Sequence, residues 1–202
     1  MHLSKLVAIL GGTLLLSACA GSQATTRHQP RSFWQPNRFD RQGREQGRWR
    51  TYYDSADAQP FTAGRYRHGR PVRTFRYYAP TGQLDHSERY RREGFCEVTY
   101  WHPGGKVAQR GPAQWVTSGD KPARFFWYGE WKTCDPDGQT TGVHTYTDGT
   151  LTRAETYEQG QLVQVEIYRG NNVTRTETYS AGKLIKVETF EKGLRTSTTK
   201  SL

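Results

Sequence analysis

The amino-acid sequence predicts an all-β protein built from short repeats, and three observations support this fold class. Aromatic residues make up 13% of the 202-residue chain, and Tyr, Trp and Phe favour strands over helices. The chain has 21 glycines and a single methionine, a composition that disfavours helix. From Gly47 onward a pattern recurs every 10 to 12 residues. A unit of that length has room for one strand and a glycine-containing turn.

The clearest copies of the repeat read Gly-x-Leu-x-x-x-Glu-x-Tyr and lie near the C-terminus. Copies begin at Gly82, Gly149, Gly160 and Gly182, with a looser one at Gly170. Alternate residues of a strand point to opposite sides. Each copy therefore places Leu, Glu and an aromatic residue on one side, and small or β-branched residues on the other. If the copies stack in phase, Arg153, Arg175 and Lys186 lie near the glutamates of neighbouring strands.

A second type of strand alternates with the first in the N-terminal half. It begins alike at Gly47-Arg48-Trp49 and Gly129-Glu130-Trp131, and the runs Tyr77-Tyr78-Ala79-Pro80 and Tyr100-Trp101-His102-Pro103 match at a spacing of 23 residues. Two strands per 23 residues make a hairpin repeat. These motifs resemble the MORN repeat, in the variant of YwqK-type antitoxin-like proteins of bacteria. The resemblance implies an elongated antiparallel β-meander without enzymatic activity over residues 46–202, with an insertion near 106–125.

The first residues have the features of a secretion signal. A single Lys5 precedes an apolar run from Leu6 to Leu16, which is too short to cross a bilayer as a permanent helix. The run ends in Leu16-Ser17-Ala18-Cys19, which resembles the lipobox of bacterial lipoproteins. The resemblance implies removal of residues 1–18, a lipid anchor on Cys19, and a place in the outer membrane facing the periplasm. Residues 19–45 are expected to be a flexible tether.

Positive charge is concentrated in the first half of the expected mature chain. Residues 19–94 hold 15 arginines, no lysine and 7 acidic residues, whereas residues 95–202 hold 13 basic and 12 acidic residues. Arginine binds anions such as phosphate in a bidentate manner. The expected partners are therefore a protein or an anionic component of the envelope, and the exported location disfavours nucleic acid. The alternative is that arginine only solvates an aromatic-rich sheet.

Aromatic residues combined with arginine make good recognition surfaces. All six tryptophans precede residue 135, close to the excess of arginine. We therefore expect one exposed patch that combines aromatic rings with arginine. The candidate binding residues are Arg48, Trp49, Arg50, Arg65, Arg67, Trp101 and Trp131. The alternative for each tryptophan is that its ring covers a thin sheet that lacks a second layer.

The sequence contains no motif for catalysis or for a cofactor. It lacks His-Glu-x-x-His, Gly-x-Ser-x-Gly and Cys-x-x-Cys. The spacing of Cys96, His102, Cys134 and His144 matches no familiar zinc site, so no metal is expected. In an oxidising compartment, Cys96 and Cys134 are instead expected to form a disulfide. This pairing requires the insertion to let their two strands lie side by side.

These observations favour a non-catalytic envelope lipoprotein whose repeat sheet binds another macromolecule. The resemblance to YwqK-type proteins implies an alternative, an antitoxin- or immunity-like protein that neutralises a toxin by masking it. A third alternative, from a different class, is an enzyme with a cryptic site.

Overall fold

The protein is one long, open antiparallel β-sheet in a computed structural model that describes residues 35–118 and 121–200. The strands are β1 (Arg38–Phe39), β2 (Glu45–Tyr52), β3 (Pro60–Arg67), β4 (Arg70–Pro71), β5 (Thr74–Tyr78), β6 (Leu84–Tyr90), β7 (Phe95–Trp101), β8 (Val107–Ser118), β9 (Lys121–Trp127), β10 (Gly129–Cys134), β11 (Thr140–Thr147), β12 (Thr150–Glu158), β13 (Gln161–Arg169), β14 (Asn172–Ser180), β15 (Lys183–Glu191) and β16 (Leu194–Lys200). A 3₁₀ turn, Arg92–Gly94, precedes β7.

The strands follow one another across the sheet in sequence order, which makes the topology a meander. Two short departures occur: β4 pairs with β3 alone, and β9 pairs with β8. The predicted all-β fold is therefore confirmed. Within the described residues, no helix is long and apolar enough to cross a membrane.

Two-residue turns connect the strands from β11 to β16, and glycine is the second turn residue in all of them except the turn between β13 and β14, where Gly170 is the first. At the turn between β12 and β13, Gln159 and Gly160 have φ angles of 51° and 77°. Ala181 and Gly182 have φ angles of 50° and 75° between β14 and β15. Positive φ at both residues defines the type I′ turn, whose twist matches that of the strands. Glycine adopts this φ without steric cost, which explains its regular recurrence.

A β-bulge next to each of these turns shifts the strand register by one residue. Between β12 and β13, Tyr157 pairs with Leu162 but Thr156 pairs with Gln164, so that Val163 is left over. The same shift occurs at every hairpin from β11 to β16. A one-residue shift exchanges the two faces of a strand.

Consecutive repeats therefore present their glutamates on opposite faces of the sheet. Glu155 lies opposite Val165, and Glu166 lies opposite Ala154. Directly opposite residues in an antiparallel pair share a face. The in-phase stacking that the sequence pattern predicts is wrong, because that pattern does not include the bulge.

The sequence pattern does not predict the strands β1, β3, β4, β8 and β16. β8 and β9 occupy most of the segment 106–125 that the repeat pattern predicts to be an insertion. β8 continues the sheet between β7 and β10, and only its outer part pairs with β9. The sheet also begins at Arg38, inside the expected tether. Cys19 and the expected signal peptide lie outside the described residues.

The predicted disulfide between Cys96 and Cys134 is wrong, because β8 separates the strands that carry them. Cys96 pairs with Ala113 of β8, while Thr133, the neighbour of Cys134, pairs with Gln109 on the other side of β8. Two strand spacings place the strands about 9.6 Å apart, and the offset along β8 adds about 15 Å. A disulfide tolerates Cα separations only up to about 7 Å. Both cysteines are free, and Cys96 is buried.

The largest buried cluster lies where β7, β8 and β10 meet, at the centre of the sheet. It contains Cys96, Val98, Ala113 and Trp131. The Trp131 side chain is fully buried, and its indole N–H donates to the Pro112 carbonyl oxygen at 2.9 Å. A Cβ atom at position 111 would lie 2.3 Å from the indole ring. Glycine at this position therefore lets the ring lie flat against β8.

Candidate functional site

The two faces of the N-terminal half carry different chemistry. Trp49 of β2 lies opposite Gly64 of β3, whereas the next pair along the strands is Arg48 and Arg65. Because side chains alternate between faces, the ring and the two guanidinium groups point to opposite sides of the sheet. We call these sides the aromatic face and the arginine face.

The aromatic face carries a continuous row of ring contacts from β1 to β11. The row contains Phe39, Trp49, Tyr66, Phe75, Tyr77, His86, Tyr100, Trp127, Trp131 and Tyr146. Centroids of neighbouring rings lie 3.7 to 6.3 Å apart along this path, within the range of favourable aromatic pairs. Most of these rings are half-buried or buried, so they shield one another on a sheet over which the described residues place no second layer.

A buried carboxylate lies beside the middle of this aromatic row. Glu88 is 6% exposed and accepts hydrogen bonds from the hydroxyl groups of Tyr77 at 3.0 Å and Tyr90 at 2.7 Å. Burial and the charge of Glu88 raise the pKa of both tyrosines well above the usual range. The same two causes raise the pKa of the Cys96 thiol to about 12. At neutral pH this thiol stays protonated, which makes it a poor nucleophile.

The arginine face consists of Arg48, Arg50, Arg65, Arg67 and Arg76. All five side chains are exposed. Arg48 lies directly opposite Arg65, and Arg50 and Arg76 flank Ala63 on either side in the same lateral row. Two strand spacings separate Arg50 from Arg76 by about 9.6 Å. Because the Ala63 side chain is a single methyl group, it fills little of the space between Arg50 and Arg76.

No carboxylate neutralises these arginines within the part of the chain that the structure describes. The strands β2, β3 and β5 contain one acidic residue, Glu45, and it lies on the aromatic face beside Phe39. None of the five guanidinium groups forms an ion pair with a described residue. Like charges directly opposite each other, as at Arg48 and Arg65, destabilise a sheet by about 0.2–1 kcal/mol.

Three strands of the C-terminal half pair a basic residue with a glutamate of the same strand. In β12, Glu155 accepts hydrogen bonds from Arg153 at 2.8 Å and from the Tyr157 hydroxyl at 2.6 Å. In β14, Glu177 forms an ion pair with Arg175 at 2.7 Å. β13 and β15 repeat the arrangement with Gln164, Glu166 and Tyr168, and with Lys186 and Glu188. We call these groups the C-terminal triads.

The triads shift the pKa values of their own members. Hydrogen bonding from Tyr179 and the adjacent Arg175 lower the pKa of Glu177. Burial raises the pKa of Glu155, but the hydrogen bonds from Tyr157 and Arg153 outweigh it, so the net shift is downward. The carboxylates are therefore held in their charged form, and the expected cross-strand ion pairs are replaced mainly by pairs within one strand.

The structure separates the candidate binding residues that the sequence suggests. Arg48, Arg50, Arg65 and Arg67 share the arginine face, but Trp49 lies on the aromatic face. Trp131 is fully buried and cannot contact a partner. Trp49 and Trp131 therefore do not form the expected patch with these arginines.

Trp101 is a half-buried residue of β7, and its indole N–H has no hydrogen-bond partner among the described residues. Arg76 joins the arginine face although no sequence pattern indicates it. Only the pairing of β3 with β5 brings Arg76 beside Ala63, and that pairing depends on β3, a strand that the repeat pattern does not predict.

Over residues 35–118 and 121–200, no group of three or more His, Cys, Asp or Glu side chains is placed to hold a metal ion. His102 donates from Nε2 to the Cys134 carbonyl oxygen at 2.9 Å, a contact that joins two turns of the sheet.

No family model matches this chain, and no curated protein matches it. Among solved structures, it is similar to a mutant of S. aureus TarM in complex with Fondaparinux, alpha-GlcNAc-glycerol and UDP. The two are 12% identical with a TM-score of 0.33, over 46% of this chain and 17% of the TarM chain. A likeness at this level carries no argument about function.

Proposed function

We propose that this protein is a lipid-anchored, non-catalytic scaffold of the cell envelope that binds another macromolecule through its arginine face. The observation that supports the binding role is the set of five exposed guanidinium groups on β2, β3 and β5, with no carboxylate beside them on those strands. In the C-terminal half of the sheet, Arg153 and Arg175 are each paired with a glutamate. A surface that keeps unneutralised charge at a cost in stability is typical of a binding site.

The aromatic face supports the binding role indirectly. Its rings cover one side of the sheet and hold the strands β1 to β11 in register, as cross-strand aromatic pairs do. A rigid sheet presents the arginines at fixed spacing, which lowers the entropy that a partner loses on binding. The MORN-like repeat is in this proposal a means of building an extended surface.

Photo-crosslinking in cells tests the binding role. A photoreactive residue replaces Ala63, which lies between Arg50 and Arg76, and in a second variant it replaces the exposed Thr199. Thr199 is a matched control because the chain of paired residues from Ala63 across the sheet ends there, on the same face. We expect a discrete adduct from position 63 and none from position 199. Equal labelling at both positions, or at neither, would contradict the proposed function.

The lipid anchor is tested separately at Cys19. Mass spectrometry of the protein from membranes should show acyl chains on this residue, and Cys19→Ala should accumulate as the uncleaved precursor. A freely soluble, unmodified mature protein would reject the anchor while leaving the binding test unaffected.

A further inference from the structure

Among the residues that the structure describes, the arginine face lacks carboxylates, and this indicates the chemistry of its partner. We propose that this face binds an extended acidic segment of a partner protein, whose carboxylates pair with Arg48, Arg50, Arg65, Arg67 and Arg76. This inference rests on the proposed function and names the class of partner.

Elsewhere in the same sheet, several arginines are paired with carboxylates. Arg153 and Arg175 are each paired with a glutamate two residues further along the same strand, and Arg110 is paired with Glu97 of the neighbouring strand. In β2, arginine occupies both of two alternate positions, 48 and 50, where β12 has Arg153 followed by Glu155. The N-terminal strands therefore keep the guanidinium half of the pair and lack the carboxylate half.

The spacing of the guanidinium groups matches that of an extended chain. Arg48 and Arg50 point to the same side and lie about 6.6–7 Å apart along β2, because strands rise about 3.3–3.4 Å per residue. An extended polypeptide with an acidic residue at every second position carries carboxylates at the same interval. The space over Ala63, between Arg50 and Arg76, has room for such a segment, because the Ala63 side chain is a single methyl group.

The twist of the sheet also favours a polypeptide over a flat surface. Neighbouring strands of a sheet are rotated by about 20–25°, so the three strands of this face turn through roughly 40–50°. An extended chain can follow a twisted row of arginines. A flat lipid surface meets only part of it, and Arg67 and Arg76 lie on different strands of the twisted surface.

No described carboxylate of this chain is paired with the arginine face, so in this proposal the carboxylates belong to another molecule. Residues 20–34, which precede the described part of the sheet, contain no aspartate or glutamate. The glutamates of β12, β14 and β15 are already engaged by Arg153, Arg175 and Lys186.

Fluorescence anisotropy with the full-length protein in detergent tests the inference. The probe is a labelled synthetic peptide of about twelve residues that alternates Glu and Ser, and the control peptide replaces Glu with Gln. The variant is Arg50→Gln with Arg65→Gln and Arg76→Gln. A matched control, Arg41→Gln with Arg91→Gln and Arg92→Gln, removes the same formal charge from exposed turn positions. Circular dichroism melting confirms that both variants fold.

We expect the acidic peptide to bind the native protein and the control peptide not to bind. The face variant should weaken binding at least about tenfold, because each lost guanidinium removes a charge-assisted hydrogen bond. The turn variant should change the affinity less than about threefold, and raising salt from about 0.05 to about 0.5 M should weaken binding to the native protein.

Three results would overturn the inference. Equal weakening by the turn variant would show that net charge alone attracts the peptide. Arginine-dependent binding to vesicles of phosphatidylglycerol, without binding of the peptide, would identify a phosphate surface instead. Absence of peptide binding together with an adduct from position 63 in cells would reject the acidic segment while the proposed scaffold function stands.

Discussion

In β12 to β15, each strand carries a glutamate with a basic or amide side chain two residues before it, and the bulge turns successive glutamates to opposite faces. In β2, β3 and β5, the five arginines lie on one face, and the rings of Trp49, Tyr66, Phe75 and Tyr77 lie on the other. One repeat plan therefore gives two distributions of charge. The C-terminal half pairs Arg153, Arg175 and Lys186 with a glutamate of the same strand, whereas the five arginines of the N-terminal face form no ion pair with a described residue.

Glu88, in the N-terminal half, occupies the same position in its repeat as the glutamates of the C-terminal triads. Like Glu155 and Glu177, it accepts a hydrogen bond from the tyrosine two residues later. Here Tyr77 adds a second donor, and His86 occupies the position of the base and stacks on the Tyr77 ring with centroids 4.1 Å apart. The same motif is buried on the aromatic face and half-exposed at the C-terminal end.

The largest expected effect compares the stability lost in the buried cluster at the centre of the sheet with that lost in the half-exposed C-terminal strands. Trp131→Ala should lower the free energy of unfolding by about 3–5 kcal/mol, because it removes a fully buried indole that fills the space over Gly111. Phe190→Ala, at the half-exposed aromatic position of β15, should cost only about 1 kcal/mol. Urea unfolding followed by circular dichroism measures both. Similar losses would mean that the centre is no better packed than the C-terminal half.

The next effect compares the buried and the half-exposed copy of the same motif. Glu88→Ala should cost about 2–4 kcal/mol, because the hydroxyl groups of Tyr77 and Tyr90 lose their buried acceptor. Glu177→Ala should cost about 1 kcal/mol or less, since water can replace the carboxylate there. The same unfolding experiment applies, with Glu88→Gln expected to recover part of the loss. An equal cost at both positions would show that the burial of Glu88 adds nothing.

The sequence predicts the strands of the C-terminal half well, because there one glycine, one glutamate and one aromatic residue mark each turn and strand. It does not predict which face each glutamate occupies. That depends on a bulge at Val163 and its equivalents, and such residues are ordinary β-formers whose extra position is set by backbone pairing. The sequence also does not predict β3 and β8. In these strands Gly64 and Gly111 lie against aromatic rings, and neither strand carries the repeat motif.

The candidate site was predicted only in part for the same reason. Four arginines follow from composition and alternation along β2 and β3. Their separation from Trp49 follows from the pleat, but Arg76 and the absence of a disulfide follow from strand order. Strand order in turn depends on β3 and β8, which the repeat pattern does not predict.

A pH experiment tests whether the charge of Glu177 stabilises the C-terminal half. The hydrogen bond that the Tyr179 hydroxyl donates and the charge of the adjacent Arg175 lower the pKa of Glu177 below its ordinary value of 4.5. The unfolded chain therefore binds this proton more readily than the folded one, so the stabilisation is complete above about pH 4.5 and is lost as pH falls through the lower folded value. Glu177→Gln should be less stable than the native protein at pH 7, and the difference should disappear toward pH 3 in thermal melts. Glu130→Gln removes the same charge at an exposed position without an ion pair among the described residues, and it serves as the control.

The smallest effect is the most diagnostic, because its sign differs between the halves. Arg48→Gln should raise the free energy of unfolding by about 0.2–1 kcal/mol, since it removes the repulsion between like charges on Arg48 and Arg65. Arg175→Gln should lower it by about 0.2–1 kcal/mol, since it breaks the ion pair with Glu177. Glutamine keeps most of the aliphatic stem, so packing changes little in either variant. Both effects should shrink at about 1 M salt, where charges are screened beyond about 3 Å. If Arg48→Gln destabilised the sheet as Arg175→Gln does, the arginine face would be an ordinary solvated surface, and the case for a partner that supplies the missing carboxylates would lose its thermodynamic basis.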